Sequence, residues 1–124
     1  MDVRTIVLDD SHGDVLLVVV RGEHDIYTAP ALRDRLHEAL GGGPAGVVVD
    51  LSAATFLDSS ILGALLEACR QAIERGLGYV VCLGEDPEPG VARILEITGL
   101  VPVFPVVRSP QEALEAARAA PAGA

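Results

Sequence analysis

Two short runs constrain the architecture of this chain more than anything else in it. Val47-Val48-Val49 and Tyr79-Val80-Val81-Cys82-Leu83 are wholly apolar and rich in β-branched residues. Runs that short, apolar without alternation, read as strands buried on both faces. Between them Leu62, Leu65, Leu66, Cys69 and Ile73 recur at helical spacing, with Glu67, Arg70, Gln71 and Glu74 opposite, and Gly76 and Gly78 stop the pattern. A buried strand, an amphipathic helix and a second buried strand imply a parallel pair with a crossover helix.

The flanking segments extend that unit. Thr5 to Leu8 and Val15 to Val20 read as two antiparallel strands, with the turn formers Asp9 to Asp14 between them as a loop. Gly22 to Tyr27 reads as a polar connection. Thr28 is placed to cap a helix with Pro30 in its first turn and Leu32, Leu36, Ala39 and Leu40 on its apolar side. Gly41-Gly42-Gly43-Pro44 ends it. Glu88 to Thr98 reads as a third helix, with Pro89 in its first turn and Gly99 at its end. Val103 to Val107 is a strand that Pro102 and Pro105 place at a sheet edge. Ser109-Pro110-Gln111-Glu112 is a capping box that opens a last helix. The order is β-β-α-β-α-β-α-β-α, which predicts an α/β fold with a mixed, mostly parallel sheet, an N-terminal antiparallel hairpin and about four helices. The expected organisation is a single domain over 1–119, with 120–124 as a short flexible tail.

Composition excludes several functions. The net charge is −9, and all nine basic residues are Arg. An acidic chain is a poor ligand for nucleic-acid phosphates or an anionic membrane surface, so neither partner is expected. Without Lys there is no P-loop lysine, Schiff base or lysine general base. Gly41 to Gly46 precedes a strand, where a phosphate loop precedes a helix, so it reads as a turn. No G-x-S-x-G elbow is present, and His12, His24 and His37 fall in no catalytic signature, so they read as solvated or structural and no enzyme is expected. Cys69 and Cys82 form no CxxC and sit among apolar residues; no metal and no cofactor are expected. No signal peptide and no run long enough to span a bilayer is seen, so a cytoplasmic setting with two buried thiols is expected.

Asp58-Ser59-Ser60 stands apart. Three residues able to cap a helix occur in a row before an amphipathic helix, where one suffices. Neither Asp58 nor Ser59 has Glu or Gln three residues on, so no capping box accounts for the cluster. A redundant helix start is one reading. The other is a modifiable hydroxyl at a helix N-terminus, where the macrodipole favours a phosphate by about 0.3–1 kcal/mol and Asp58 opposes it.

Val47 to Ala68, VVVDLSAATFLDSSILGALLEA, resembles the core motif of STAS domains of the anti-anti-sigma type. Gly22 to Pro30, GEHDIYTAP, resembles the family's "GELD…TAP" segment, and Ile97-Thr98-Gly99-Leu100 through Phe104-Pro105 its "TGL…fp" segment. The resemblance implies the STAS fold. It also implies an anti-sigma factor antagonist that binds an anti-sigma factor serine kinase, frees the sigma factor, and lets go once phosphorylated; a separate serine phosphatase would restore binding. The phosphorylatable position so implied is Ser59, with Ser60 second. Asp58 is the motif's Asp, and Asp25 is the Asp of the "GELD" segment, which the family places near the serine. A monomer is implied when the chain is free. An alternative is a constitutive STAS scaffold or subunit of a larger complex, stressosome-like or a lipid-transport ATPase. Two positions depart from the family. Ile61 stands where Gly usually follows the serine pair, an apolar side chain on the expected partner-facing side. His24 replaces the usual apolar residue before Asp25.

Overall fold

A computed structural model describes residues 4–97 and 105–119. In order these form β1 (Thr5–His12), β2 (Val15–His24), α1 (Ala29–Gly41), β3 (Gly46–Leu57), α2 (Ser59–Arg75), β4 (Gly78–Cys82), α3 (Pro89–Ile97), β5 (Val106–Val107) and α4 (Pro110–Ala119). The five strands make one sheet in the order β1-β2-β3-β4-β5. β1 is antiparallel to β2, and every later pair is parallel. The mixed, mostly parallel sheet with its N-terminal hairpin is therefore as the sequence implies.

Strand alternation sorts the apolar side chains into two cores. Val18 and Val20 of β2, Val47, Val49 and Leu51 of β3 and Tyr79 and Val81 of β4 join the larger one, beneath α1, α2 and α3. Val15, Val48, Val80 and Cys82 point the other way and meet Ala113 and Ala117 of α4. The strands advance in one direction from β2 to β5, so crossovers of one hand place their helices on one face. α4 follows the last strand and covers the other face. Inside the larger core the Tyr79 hydroxyl donates to the Leu65 carbonyl of α2 at 2.8 Å. Cys69 and Cys82 are free and buried, one in each core.

The seat of α4 depends on two glycines. Gly46 and Gly78 are register partners at the starts of β3 and β4. A Cβ on either would run into the Ala117 carbonyl of α4. Arg118 then ties the helix end to the β1–β2 turn, with Nε on Asp14 at 3.3 Å and a terminal nitrogen on the His12 carbonyl at 3.0 Å.

Three boundaries differ from the sequence reading, each for a local reason. The loop expected over Asp9 to Asp14 is mostly strand. The Asp9 carboxylate accepts from the Ser11 amide and hydroxyl, at 2.9 and 2.6 Å, within a ladder irregularity between Asp9 and His12. Pairing resumes at His12↔Val15, leaving only Gly13 (φ +69°) and Asp14 to turn the chain. The polar connection expected from Gly22 begins only at Asp25. Gly22 to His24 stay paired with β3 because Gly22 adopts φ +83° beside a register shift, a conformation that glycine reaches without strain. On α2 the buried face is Ile61, Leu62, Ala64, Leu65, Ala68, Cys69 and Ala72, whereas Ile73 is 46% exposed. Leu62, Leu65 and Cys69 are buried as expected, and alanines close to the sheet, which carry little hydrophobic signal, take the rest of the face in place of Leu66 and Ile73.

β5 lies at the sheet edge as expected, and Ser109 accepts from the Glu112 amide at 3.3 Å to open α4. Thr98 and Gly99, most of the "TGL…fp" segment and the 120–124 tail lie outside the described residues.

Opposite effects are expected at two small-residue positions. Gly78→Ala should lower stability by about 1–3 kcal/mol, as overpacking does, because α4 must move. Gly63→Ala should raise it by up to about 1 kcal/mol, since Gly63 is inside α2 with nothing nearer than an Arg33 nitrogen at 4.0 Å. Urea unfolding of both variants measures the pair of shifts.

Candidate functional site

The longest strand pair, β2–β3, runs to Glu23↔Phe56 and His24↔Leu57 and so brings two chain segments side by side at one end of the sheet. One is the turn from Asp25 to Thr28; the other is Asp58-Ser59-Ser60. Asp58 occupies the N-cap of α2 in an extended conformation. Its Oδ1 accepts from the Ser60 amide at 3.0 Å, the Ser60 hydroxyl at 2.5 Å and the Ile61 amide at 3.2 Å. The Ile26 amide, across the β2–β3 boundary, is close enough to this carboxylate to favour its charged form. Partial burial pushes the carboxyl up, but the Ser60 hydroxyl and the Ile61, Ser60 and Ile26 amides outweigh it and hold Asp58 below the usual carboxylate range. Asp58 is therefore charged at neutral pH.

The two hydroxyls are not equivalent. Ser60 is half-buried and its hydroxyl is committed to Asp58. Ser59 is exposed at the first helical position, and its hydroxyl has no hydrogen-bond partner among the described residues. Ile61 does not face outward. It is fully buried in the core, because the third residue of the helix points down onto the sheet. Its contribution to this site is its backbone amide.

The Asp25–Thr28 turn is internally tied. Asp25 Oδ1 accepts from the Tyr27 amide at 3.0 Å, and its carbonyl accepts from the Thr28 and Ala29 amides, both at 3.0 Å. An Arg4 nitrogen stands 3.9 Å from Asp25 Oδ2. Thr28 sits at the N-cap of α1, yet its side chain does not cap the helix. It turns back to accept from the Asp25 amide at 3.0 Å and lies 3.1 Å from His24 Nδ1. His24 is a strand-end residue and the one buried polar side chain among the described residues, 1% exposed. Its Nε2 lies 2.7 Å from the Arg21 carbonyl, which only accepts, so Nε2 carries a proton. Asp25 makes no hydrogen bond to Ser59; the two segments are held side by side by the His24↔Leu57 end of the β2–β3 pairing.

Sequence reasoning missed Ile26, Tyr27 and Phe56. Each is a large apolar side chain left in solvent, 64%, 86% and 51% exposed. The chain has only two Tyr and two Phe, and Tyr79 is fully buried. Two of the four aromatics thus stand exposed in the segments that meet at this end of the sheet. Elsewhere, no group of three or more His, Cys, Asp or Glu among the described residues is placed to hold a metal ion. No helix among them is long and apolar enough to cross a membrane.

The STAS domain profile matches residues 7–113. The chain belongs to the STAS domain family. An anti-sigma F factor antagonist of Paenibacillus polymyxa is 31% identical over 106 residues, 85% of this chain and 88% of that one. The crystal structure of an anti-sigma factor antagonist from Mycobacterium paratuberculosis superposes with a TM-score of 0.78 at 33% identity, covering 94% of this chain and 96% of the other. The Bacillus cell fate determinant SpoIIAA in its phosphorylated form shares the fold at 19% identity, with a TM-score of 0.68 over 90% of this chain and 97% of its own.

Removing the cap tests the electrostatics of the site. Asp58→Ala should cost about 1 kcal/mol, and Asp58→Asn less, since Asn also caps. The depressed carboxyl adds stability that is present above the unfolded value of 3.8 and is lost as pH falls through the lower folded value. The stability gap between the parent and Asp58→Asn should therefore close below about pH 4 in acid titrations followed by circular dichroism.

Proposed function

We propose that this STAS protein is an anti-sigma factor antagonist: it binds an anti-sigma factor serine kinase, releases the sigma factor, and is switched off by phosphorylation at Ser59. The observation that carries this reading is the asymmetry of the serine pair. Asp58 engages the Ser60 hydroxyl and leaves that of Ser59 free and exposed at the helix start. The anti-sigma factor antagonists among its relatives support the regulatory class. The solved phosphorylated form of SpoIIAA supports a phosphorylated state on this fold.

The chemistry asked of this chain is small. Ser59 supplies the nucleophilic oxygen, while the nucleotide, its magnesium and the catalytic base belong to the kinase. This chain is substrate and ligand and no enzyme, acts in the cytoplasm and is a monomer when free. A serine phosphatase returns it to the binding form. A phosphate adds about −1.5 to −2 charges next to the ionised Asp58. Inside an interface that means desolvation and like-charge repulsion, and a hundredfold loss of affinity requires about 2.7 kcal/mol. No rearrangement of the fold is needed.

The apolar side chains that flank Ser59 supply the binding energy. Exposed aromatics are over-represented among interface residues that dominate affinity. Tyr27→Ala and Phe56→Ala should each weaken kinase binding about thirtyfold or more, with thermal stability unchanged for Tyr27→Ala because that side chain is in solvent. Incubation with the cognate kinase and ATP, followed by mass spectrometric mapping, should place one phosphate on Ser59 and none on Ser60. Phosphate on Ser60 alone, or on neither, overturns the assignment.

A further inference from the structure

At the same end of the sheet, a cleft of about 200 Å³ opens between the start of β1, the end of β2 and the first turns of α1. The guanidinium-bearing side chains of Arg4 and Arg35 line it, with Ile6 and Ala31 as apolar wall, and no carboxylate is part of its lining. Two of the nine basic residues of a chain with net charge −9 thus meet at one cleft. Thr28 and buried His24 complete one wall. Thr5 lines the cleft as well, and its Oγ1 is buried without a hydrogen-bond partner. The N-terminus of α1 adds its partial positive charge, since no side chain caps it.

We propose that this cleft binds a small oxyanion, the phosphate or carboxylate group of a small molecule, clamped between Arg4 and Arg35. Guanidinium groups present paired N–H donors that match the oxygens of such groups. Their present partners are easily exchanged. Arg4 faces Asp25 at 3.9 Å and Arg35 faces Glu38 at 3.1 Å, both pairs with substantially exposed side chains, and such surface pairs are weak. Arg4 leaves Asp25 for the ligand, so occupancy is felt at the turn that carries Ile26 and Tyr27. The site requires neither a protein partner nor modification of Ser59, and it stands or falls separately from the proposed function.

The test is a titration of the ¹⁵N-labelled, unphosphorylated chain with sodium phosphate, and in parallel sodium acetate, against sodium chloride at matched ionic strength. Saturable amide shifts at Arg4, Thr5, His24, Thr28 and Ala31 are expected with phosphate or acetate and not with chloride; the tighter of the two names the ligand group. Arg4→Gln and Arg35→Gln should each weaken binding at least about tenfold. Arg33→Gln, on the same helix but paired with Glu67 outside the cleft, should leave it unchanged. Shifts that stay linear, appear equally with chloride, spread over all the arginines or survive Arg35→Gln overturn the proposal.

Discussion

The Asp58 carboxylate organises the start of α2. It caps the helix, it fixes the hydroxyl of Ser60, and its charge is favoured further by the Ile26 amide of the turn after β2. Because those bonds hold its charge below the usual carboxylate range, the same group sets the electrostatics beside Ser59. A cap strong enough to absorb one hydroxyl leaves the other available. Structure and chemistry at this point have the same cause.

That arrangement needs a sheet whose second and third strands are unusually long. β2 and β3 continue past the point where β3 stops pairing with β4, at Asp50↔Cys82, and reach His24↔Leu57. Register shifts at Val19/Arg21 and Gly22/Glu23 let the pair continue through polar sequence. The two loops that follow are thereby adjacent, while α4 sits on the opposite face against the glycine pair Gly46 and Gly78. Ligand sites at the carboxyl ends of parallel strands are a general outcome of such sheets, since loops from neighbouring strands converge there.

Much of this was legible in the residues. Val47 to Val49 and Tyr79 to Leu83 announced the central strands, and Asp58 announced its own cap. What was hidden depended on partners distant in sequence. The polar strand ends at Asp9 to His12 and Gly22 to His24 look like loops until the opposing strand is known. Ile61 looked outward-facing because helix phase at the first turn is set by where the core lies. Thr28 reads as a cap, but the neighbouring Asp25 amide and His24 ring hold its hydroxyl instead. Tyr27 and Phe56 lie within the motif segments, but only their exposure in the fold singles them out. The asymmetry between Ser59 and Ser60 is likewise a matter of geometry, invisible in a run of two serines.

The proposed switch is a difference in affinity. Isothermal titration calorimetry of the cognate anti-sigma factor against the chain, before and after stoichiometric phosphorylation of Ser59, measures it directly. The predicted result is tight binding before and at least about a hundredfold weaker binding after, with the circular dichroism spectrum unchanged. Equal affinity for the two forms would contradict the mechanism derived from Asp58 and Ser59.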